Sequence, residues 1–298
     1  MSILTKIKRG PVQGAPLSVL IYGIDGVGKT TFGAQAPKPV FISAEEGTEL
    51  LDVARFDAIT TFRQVEEVVE GLTLENHDFQ TLVVDSVDWL EPLIWKDVCD
   101  TNSWKSVEDA GFGKGYLAAL TLWKTFLGQL DRLKREKKMN IVLIGHSELK
   151  TFHDPNHLES YDRYQLKLNA KASALLREWV SSVLFSAFHV AVSKDKNAPK
   201  AKAFSNGDRL IYTTRTPAYD AKNRFSLPEE LPLSWLEFET AARRLEVDPK
   251  GLADECLKLI EGEKVEKTRT RMTEAVRAAG ADTNTLLKLK KSIEKRIN

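Results

Sequence analysis

The stretch of this chain with the clearest chemical meaning is a glycine-rich run that fits the pattern G-x-x-x-x-G-K-[ST] without a mismatch. In such a run, successive backbone N–H groups surround the β-phosphate of a nucleotide. Lys29 is expected to reach the β- and γ-phosphates, and the Thr30 hydroxyl to bind Mg²⁺. The pattern predicts a site for ATP and Mg²⁺ formed by Gly23, Asp25, Gly26, Val27, Gly28, Lys29, Thr30 and Thr31.

The residues on either side of this run supply the elements that such a site needs. Residues 18–22 have the apolar composition of a buried strand, and residues 31–36 can open a helix before Pro37. A strand, a loop and a helix in this order are the setting that a phosphate-binding loop requires. The alternative is an ordinary glycine-rich turn, which would bind no nucleotide.

A second candidate for the metal site is Asp85, which ends the apolar run T-L-V-V-D. An acid at the carboxyl end of a parallel strand can hold Mg²⁺ through water, next to the hydroxyl of the phosphate loop. An apolar run that ends in an acid is weak evidence when it stands alone. Because it follows the phosphate loop by about fifty-five residues, we predict that Asp85 acts together with Thr30.

Strand-length apolar runs recur along the chain at residues 40–43, 81–85, 141–145 and 183–188. They are almost continuously apolar, as expected of parallel strands that are covered on both faces. Helical patterns separate them, most clearly at Leu120, Trp123, Leu127 and Leu130. The sequence therefore predicts an α/β fold with a mostly parallel central sheet flanked by helices. The Asn206-Gly207 pair predicts a hairpin turn and antiparallel strands at the end of the sheet.

Composition limits the kinds of partner and compartment. The chain has 298 residues and a net charge of +1, which excludes a uniformly basic coat for nucleic acid. It contains no long apolar segment and no signal-peptide pattern, and its two cysteines are far apart. These features predict a cytoplasmic protein, in the bacterial host cell if the chain is encoded by a phage.

The pattern changes near the C-terminus, where two helical segments are expected, at residues 252–279 and 285–297. From Lys264 onward, basic residues outnumber acidic ones by ten to four. This charge could belong to a solvated helical face, or to a surface that contacts DNA or another subunit. We predict an N-terminal tail or oligomerisation arm at 1–16, a core at 17–245 and a basic helical region at 246–298.

The phrase F-I-S-A-E-E at the end of the second strand resembles the F-I-D-A-E phrase of the RecA family of P-loop ATPases. The resemblance implies a RecA-like core in which Glu45 activates the attacking water. Glu46 could take that role instead. An exposed acidic loop without a catalytic role is the other alternative. It also implies that His146, after residues 141–145, senses the γ-phosphate. A buried structural histidine is the alternative.

The phrase A-K-N-R at residues 221–224 resembles a phrase of RecA-type hexameric helicases and related ATPases. In those proteins the lysine and arginine reach the γ-phosphate in the neighbouring subunit. The resemblance implies that Lys222 and Arg224 act in trans and that the protein is a homo-oligomer, as a ring or a filament. A surface turn without such a role is the alternative.

Over about residues 17–240 the chain is most similar to RecA-core ATPases of bacteriophages, a group that includes single-strand annealing proteins. Three short phrases support this similarity, F-G-K-G-Y at 112–116, Y-D-R-Y at 161–164 and A-K-N-R at 221–224. It implies binding of single-stranded DNA by two loops, roughly residues 95–115 and 147–167. In the second loop, cations and aromatic rings could contact phosphates and bases. The candidates there are Lys150, His153, Tyr161, Arg163, Tyr164 and Lys167.

Several functions are compatible with these features. The first is an ATP-hydrolysing, single-stranded-DNA-binding protein of phage recombination that promotes annealing. The alternatives are a hexameric helicase or translocase, a nucleotide-switched regulatory module without DNA binding, and a small-molecule kinase. The DNA could instead bind to the basic C-terminal helices. Hydrolysis measured with and without single-stranded DNA separates the first function from the regulatory module.

Overall fold

A computed structural model describes residues 14–43, 51–56, 59–153, 159–193, 202–204, 207–243, 249–261, 266–280 and 282–297. The chain divides into two compact units, residues 16–236 and residues 1–15 together with 237–298. The domain boundaries expected from the sequence stay a prediction. No helix in the described ranges is both long and apolar enough to cross a membrane.

The larger unit is built on a central sheet with helices between its strands. The strands are β1 Ser18–Gly23, β2 Pro39–Ser43, β3 Ala54–Phe56, β4 Thr81–Asp85, β5 Asn140–Phe152, β6 Tyr161–Leu166, β7 Ser182–Phe188, β8 Ala191–Ser193, β9 Lys202–Phe204, β10 Arg209–Tyr212, β11 Lys222–Asn223 and β12 Glu230–Pro232. The helices of this unit are α1 Lys29–Ala34, α2 Phe62–Leu74, α3 Val87–Asn102, α4 Lys114–Lys137 and α5 Ala170–Trp179.

The strand order of the central sheet is β12-β10-β7-β1-β5-β4-β2-β3, with β6 paired to β5 and β11 to β7 outside this order. Strands β8 and β9 form a separate two-stranded sheet. From β7 to β3 neighbouring strands are parallel, whereas β10 is antiparallel to both β7 and β12. Every residue of β1 and of β4 is buried, as expected of strands covered on both faces. The α/β class with a mostly parallel sheet and antiparallel strands at one end is confirmed.

The register of the parallel strands brings four strand ends to one edge of the sheet. Gly23 on β1 lies opposite His146 on β5, and Asp85 on β4 lies opposite Ile144 on β5 and Ser43 on β2. The phosphate loop follows β1 directly, so it lies at the same edge. Carboxyl ends of parallel strands are where α/β proteins place ligand sites.

The helices cover the sheet through a continuous apolar core. In α4, Trp123, Phe126 and Leu130 are almost completely buried, at the spacing of one helix face. The ring of Phe126 meets Phe62 of α2 at a centroid distance of 6.0 Å. Each such side chain contributes about 1.5–3 kcal/mol to folding by its burial. This packing holds α2 and α4 against the sheet.

Two segments that were expected to be DNA-binding loops contain regular secondary structure instead. The first predicted DNA loop, residues 95–115, is helical as far as Asn102 because α3 continues through it. In the second, β5 extends to Phe152 and pairs with β6 in an antiparallel ribbon. The predicted turn at Asn206-Gly207 includes Asn206, which lies outside the described residues, but the antiparallel strand after it is present as β10.

The C-terminal unit contains helices around a small core of its own. They are α7 Pro249–Glu261, α8 Glu266–Ala279 and α9 Thr283–Ile297. Helix α6, Trp235–Arg243, belongs to this unit from Glu237 onward. The core consists of Leu252, Cys256, Ile260, Val276, Leu286 and Ile293. The sequence predicted one helix over 252–279, but α7 ends at Glu261 and α8 is a separate helix. A single straight helix could not have turned the apolar faces of α7 and α8 toward one core.

Candidate functional site

The phosphate loop leads from β1 into α1 through a glycine in a conformation that other residues rarely adopt. Gly28 has a φ of 106° and stands immediately before the first helical residue, Lys29. At the start of the loop, Gly23 is packed against β7, where an added Cβ would lie 2.0 Å from the carbonyl oxygen of Ser186. Glycine is therefore required at both ends of the loop.

Lys29 is buried within the loop. Its Nζ donates hydrogen bonds to the carbonyl oxygens of Gly23, at 3.1 Å, and Ile24, at 2.9 Å. These contacts hold a positive charge at the centre of the loop, where the pattern predicts nucleotide phosphates. The ammonium group and the surrounding backbone N–H groups together favour an anion at this point.

Thr30 and Asp85 are in direct contact. The Thr30 hydroxyl donates a hydrogen bond of 2.7 Å to Oδ2 of Asp85, whose side chain is nearly buried. A hydroxyl and a carboxylate are hard oxygen donors of the kind that Mg²⁺ prefers. No cluster of three or more His, Cys, Asp or Glu side chains that could hold a metal occurs within the described ranges. A site with two protein oxygens suits Mg²⁺, which keeps several waters and binds substrate phosphates.

His146 lies beside the loop, at the point where β5 leaves the core. Its Nδ1 is 2.8 Å from Oδ2 of Asp88, and its backbone N–H donates to Oδ1 of the same carboxylate at 3.0 Å. On the other side, Nε2 is 3.8 Å from Oδ1 of Asp25 in the phosphate loop. Burial favours the protonated form of Asp88, but the hydrogen bonds from His146 outweigh it and lower the pKa of Asp88. The histidine is thus held in place next to the loop, and its sensing role stays a prediction.

Asp88 was not among the residues predicted from the sequence. It lies in the first turn of α3, three residues after Asp85. Its position one turn beyond the strand that ends in Asp85 was the available signal, but an acid in the first turn of a helix is also common for electrostatic reasons. Glu45 and Glu46 lie outside the described residues, so the choice of general base stays a prediction.

The structure corrects the prediction for Arg163. This side chain is only 2% exposed, and its Nη2 forms an ion pair of 2.5 Å with Oδ1 of Asp220. The same nitrogen donates to the backbone carbonyls of Thr216 and Tyr219. Arg177 contacts the other oxygen of Asp220 at 2.6 Å. Arg163 therefore joins β6 to the segment around Asp220 and cannot contact DNA.

The other predicted DNA-contacting residues lie on or next to the β5–β6 ribbon. Lys150, His153 and Lys167 are exposed, and Lys150 pairs with Glu148 at 2.7 Å. Tyr161 is half-buried against Phe152, with ring centroids 5.7 Å apart. The Tyr164 ring is packed against Phe185 of β7 at 5.2 Å. Tyr164 therefore packs against the core cluster and is poorly placed to stack on a base, while the roles of the others stay predictions.

Lys222 also differs from its predicted role. Its Nζ donates to the carbonyl oxygens of Arg177, Glu178 and Val180 at 2.7, 2.8 and 2.6 Å. These carbonyls end α5, so the ammonium group caps that helix within its own subunit. Burial and the charge of Arg224 lower the pKa of Lys222. The expectation that Lys222 extends toward a neighbouring subunit is not met.

Arg224 is exposed, next to a pocket of about 330 Å³. The cations around this pocket are Arg177, Arg215, Lys222 and Arg224, and the acids are Glu178 and Asp220. No carboxylate among the described residues pairs with Arg224. Asn223 holds the turn that presents it, because its side chain accepts the backbone N–H groups of Phe225 and Leu227.

The basic C-terminal helices carry part of their charge in ion pairs. Lys288 and Lys291 pair with Glu237 and Glu239 at 2.9 and 3.6 Å. Lys290 pairs with Glu255 at 2.7 Å. These contacts lie within the C-terminal unit and reduce the charge available for a phosphate backbone.

Parts of this chain are similar to known proteins. The family model AAA_24, described as an AAA domain, matches residues 15–225. The SPbeta prophage-derived uncharacterized protein YorG of Bacillus subtilis (strain 168) is 26% identical over 112 residues, which cover 36% of this chain and 33% of that protein. This chain thus matches about one third of that relative's length. The RadB recombinase crystal structure is 16% identical and has a TM-score of 0.38, with 66% of this chain and 80% of that chain covered.

Proposed function

The chain belongs to the AAA_24 family of AAA domains, and from that premise we propose that it is an oligomeric, Mg²⁺-dependent ATPase acting on single-stranded DNA in phage recombination. The observation that carries this proposal is the hydrogen bond between Thr30 and Asp85 beside the buried ammonium group of Lys29. These three side chains come from the two motifs that P-loop ATPases use for phosphate and metal.

In the proposed reaction, each of these side chains has one task. The ammonium group of Lys29 leaves its two carbonyl acceptors in the loop and donates to phosphate oxygens instead. The backbone N–H groups of the loop bind the β-phosphate. Thr30 and Asp85 would hold Mg²⁺, which would supply positive charge to balance the charge that develops on the phosphates. Glu45 activates the attacking water, and His146 detects whether the γ-phosphate is present.

Arg224 is proposed to act on a neighbouring subunit. It is exposed, lacks a carboxylate partner in the described part of the chain, and is held by a turn that Asn223 stabilises. An arginine supplied in trans stabilises the transition state of phosphoryl transfer and makes hydrolysis depend on assembly. Lys222 supports this arrangement from within its own subunit by capping α5.

Single-stranded DNA is proposed to bind at the β5–β6 ribbon. Its exposed cations, Lys150 and Lys167, can contact phosphates, and Tyr161 can stack on a base. The N–H of Lys167 donates to the carbonyl oxygen of His146 at 3.0 Å, so the ribbon is bonded to the edge of the nucleotide site. The prophage origin of the relative in Bacillus subtilis supports the assignment of this chain to a phage.

ATP turnover measured with and without single-stranded DNA tests this proposal. We expect the wild type to hydrolyse ATP only with Mg²⁺ and faster with DNA, and Lys29→Ala to lose turnover while keeping its fold. Lys96→Ala is the matched control, because Lys96 is an exposed lysine whose partner is Asp100. Turnover by a folded Lys29→Ala protein would contradict the site. An ATP hydrolysis rate that does not change when DNA is added would favour a regulatory module. ATP-driven unwinding of DNA would favour a motor.

A further inference from the structure

A second cation lies against the phosphate loop, from a part of the chain that the loop motif does not include. It is Arg209, the first residue of β10. A Cβ added to Gly28 would lie 2.9 Å from Nη1 of Arg209 and 3.9 Å from its Cδ. The guanidinium group therefore contacts the last glycine before Lys29, within one subunit.

Three contacts hold Arg209 in this position. Its backbone pairs with Phe188 of β7, and its carbonyl oxygen accepts the N–H of Leu233 at 2.9 Å. Its guanidinium carbon is 5.6 Å from the centre of the Phe188 ring, a distance at which a cation is attracted to an aromatic face. The side chain is exposed, and no described residue forms a hydrogen bond or ion pair with its guanidinium group. Its donors are available to an anion.

The sheet order shows which part of a nucleotide Arg209 would meet. Asp85 and His146 belong to β4 and β5, on one side of β1, whereas Arg209 belongs to β10, on the other side beyond β7. The Thr30 hydroxyl donates to Asp85, so Mg²⁺ and the γ-phosphate would be bound on the β5 side. Arg209 therefore approaches the loop from the side where the α-phosphate and the nucleoside must lie.

We propose that Arg209 binds the α-phosphate and ribose of the nucleotide in the subunit that contains it. This inference rests on the proposed ATP binding and assigns a residue that the loop motif lacks. A guanidinium group offers several donors in one plane, which suits two oxygens of a phosphate better than an ammonium group does. The α-phosphate is common to ATP and ADP, so Arg209 stabilises both complexes equally. This separates it from Arg224, whose role concerns the γ-phosphate.

Nucleotide affinity tests the inference directly. Dissociation constants for ADP and for a non-hydrolysable ATP analogue are measured by calorimetry on the full chain, for the wild type, Arg209→Gln and Arg209→Lys. We expect Arg209→Gln to weaken both nucleotides about tenfold to a hundredfold, as for the loss of one charge-assisted hydrogen bond, with their ratio unchanged. Arg209→Lys keeps the charge and should lose less. In turnover, KM should rise while kcat stays near the wild-type value.

Two further variants control the experiment. Arg132→Gln removes an exposed arginine of α4, which pairs with Glu136, and should leave both affinities unchanged. Phe188→Leu removes the ring under the guanidinium group and should give a smaller, equal loss for both nucleotides. Wild-type affinity for both nucleotides in a folded Arg209→Gln protein would overturn this inference and leave the proposed function intact. A loss confined to the ATP analogue would overturn it by placing Arg209 at the γ-phosphate. A wild type that binds neither nucleotide would overturn the proposed function as well.

Discussion

Lys222 and Arg224 are two residues apart, yet we predict that their removal has opposite consequences. Lys222→Met keeps the alkyl stem and removes the ammonium group, which leaves the carbonyls of Arg177, Glu178 and Val180 without their donor. A hydrogen bond to a charged group contributes about 1.5–3 kcal/mol. Lys222 is only partly buried, so water can replace much of what is lost, and we expect a total of about 1.5–3 kcal/mol.

Thermal unfolding of the nucleotide-free protein measures this effect. For a unit of this size, a destabilisation of 1.5–3 kcal/mol lowers the Tm by about 3–12 °C. Lys124→Met is the control, because Lys124 is exposed on α4 and should change the Tm very little. Arg224→Ala should leave the Tm unchanged and remove assembly-dependent turnover. In a mixture of Lys29→Ala and Arg224→Ala subunits, partial turnover should return at interfaces that pair an intact loop with an intact arginine.

Two results would refute this reasoning. If Lys222→Met kept the wild-type Tm and lost turnover to the same extent as Arg224→Ala, Lys222 would be a residue that acts on the neighbour, as the sequence first suggested. If the mixture showed no turnover although both subunits were present in the same assemblies, Arg224 would act in its own subunit or not at all.

The remaining predictions concern DNA and pH. Lys150→Ala and Lys167→Ala should each reduce the slope of log affinity for single-stranded DNA against log salt by about 0.7, because each removes one phosphate contact. An unchanged slope in both variants would mean that DNA does not bind at the ribbon. Burial, only partly offset by hydrogen bonds from the Asn169 N–H, raises the pKa of Glu91 to about 7. A folded-state pKa above the unfolded value of 4.5 means that the folded state holds the proton more tightly, so stability should fall as pH rises from about 4.5 to above 7. The loss is about 3.4 kcal/mol at most, and urea unfolding of Glu91→Gln should show a weaker pH dependence.

The features around the candidate site that could be predicted from the sequence are those determined by neighbouring residues. The phosphate loop is a continuous run, and Asp85 ends an apolar strand whose place in a parallel sheet follows from alternating strands and helices. Once these strands are parallel, their carboxyl ends meet at one edge, and Thr30 and Asp85 come into contact. This contact could be expected from pattern alone.

The residues that sequence reasoning misplaced depend on contacts between distant segments. Arg163 stands in the polar phrase Y-D-R-Y, which is typical of an exposed loop, and only the position of Asp220 shows that it is buried. Lys222 lies on an extended segment that could face solvent, but β11 pairs with β7 and brings its ammonium group to the end of α5. Arg209 is 181 residues from Gly28 in sequence, and no local pattern relates the two.

The length of β5 has a mechanical consequence. This strand runs without interruption from Asn140 in the core, past His146, to Phe152 at the outer end of the ribbon. The six residues after His146 span about 20 Å at the usual rise of a strand. A rotation of about 5° at His146 therefore displaces the outer end by about 2 Å, if the strand moves as a stiff rod. The strand is a lever whose pivot lies beside the phosphate loop and whose outer end, the ring of Phe152, has its centre 5.1 Å from the guanidinium carbon of Arg163.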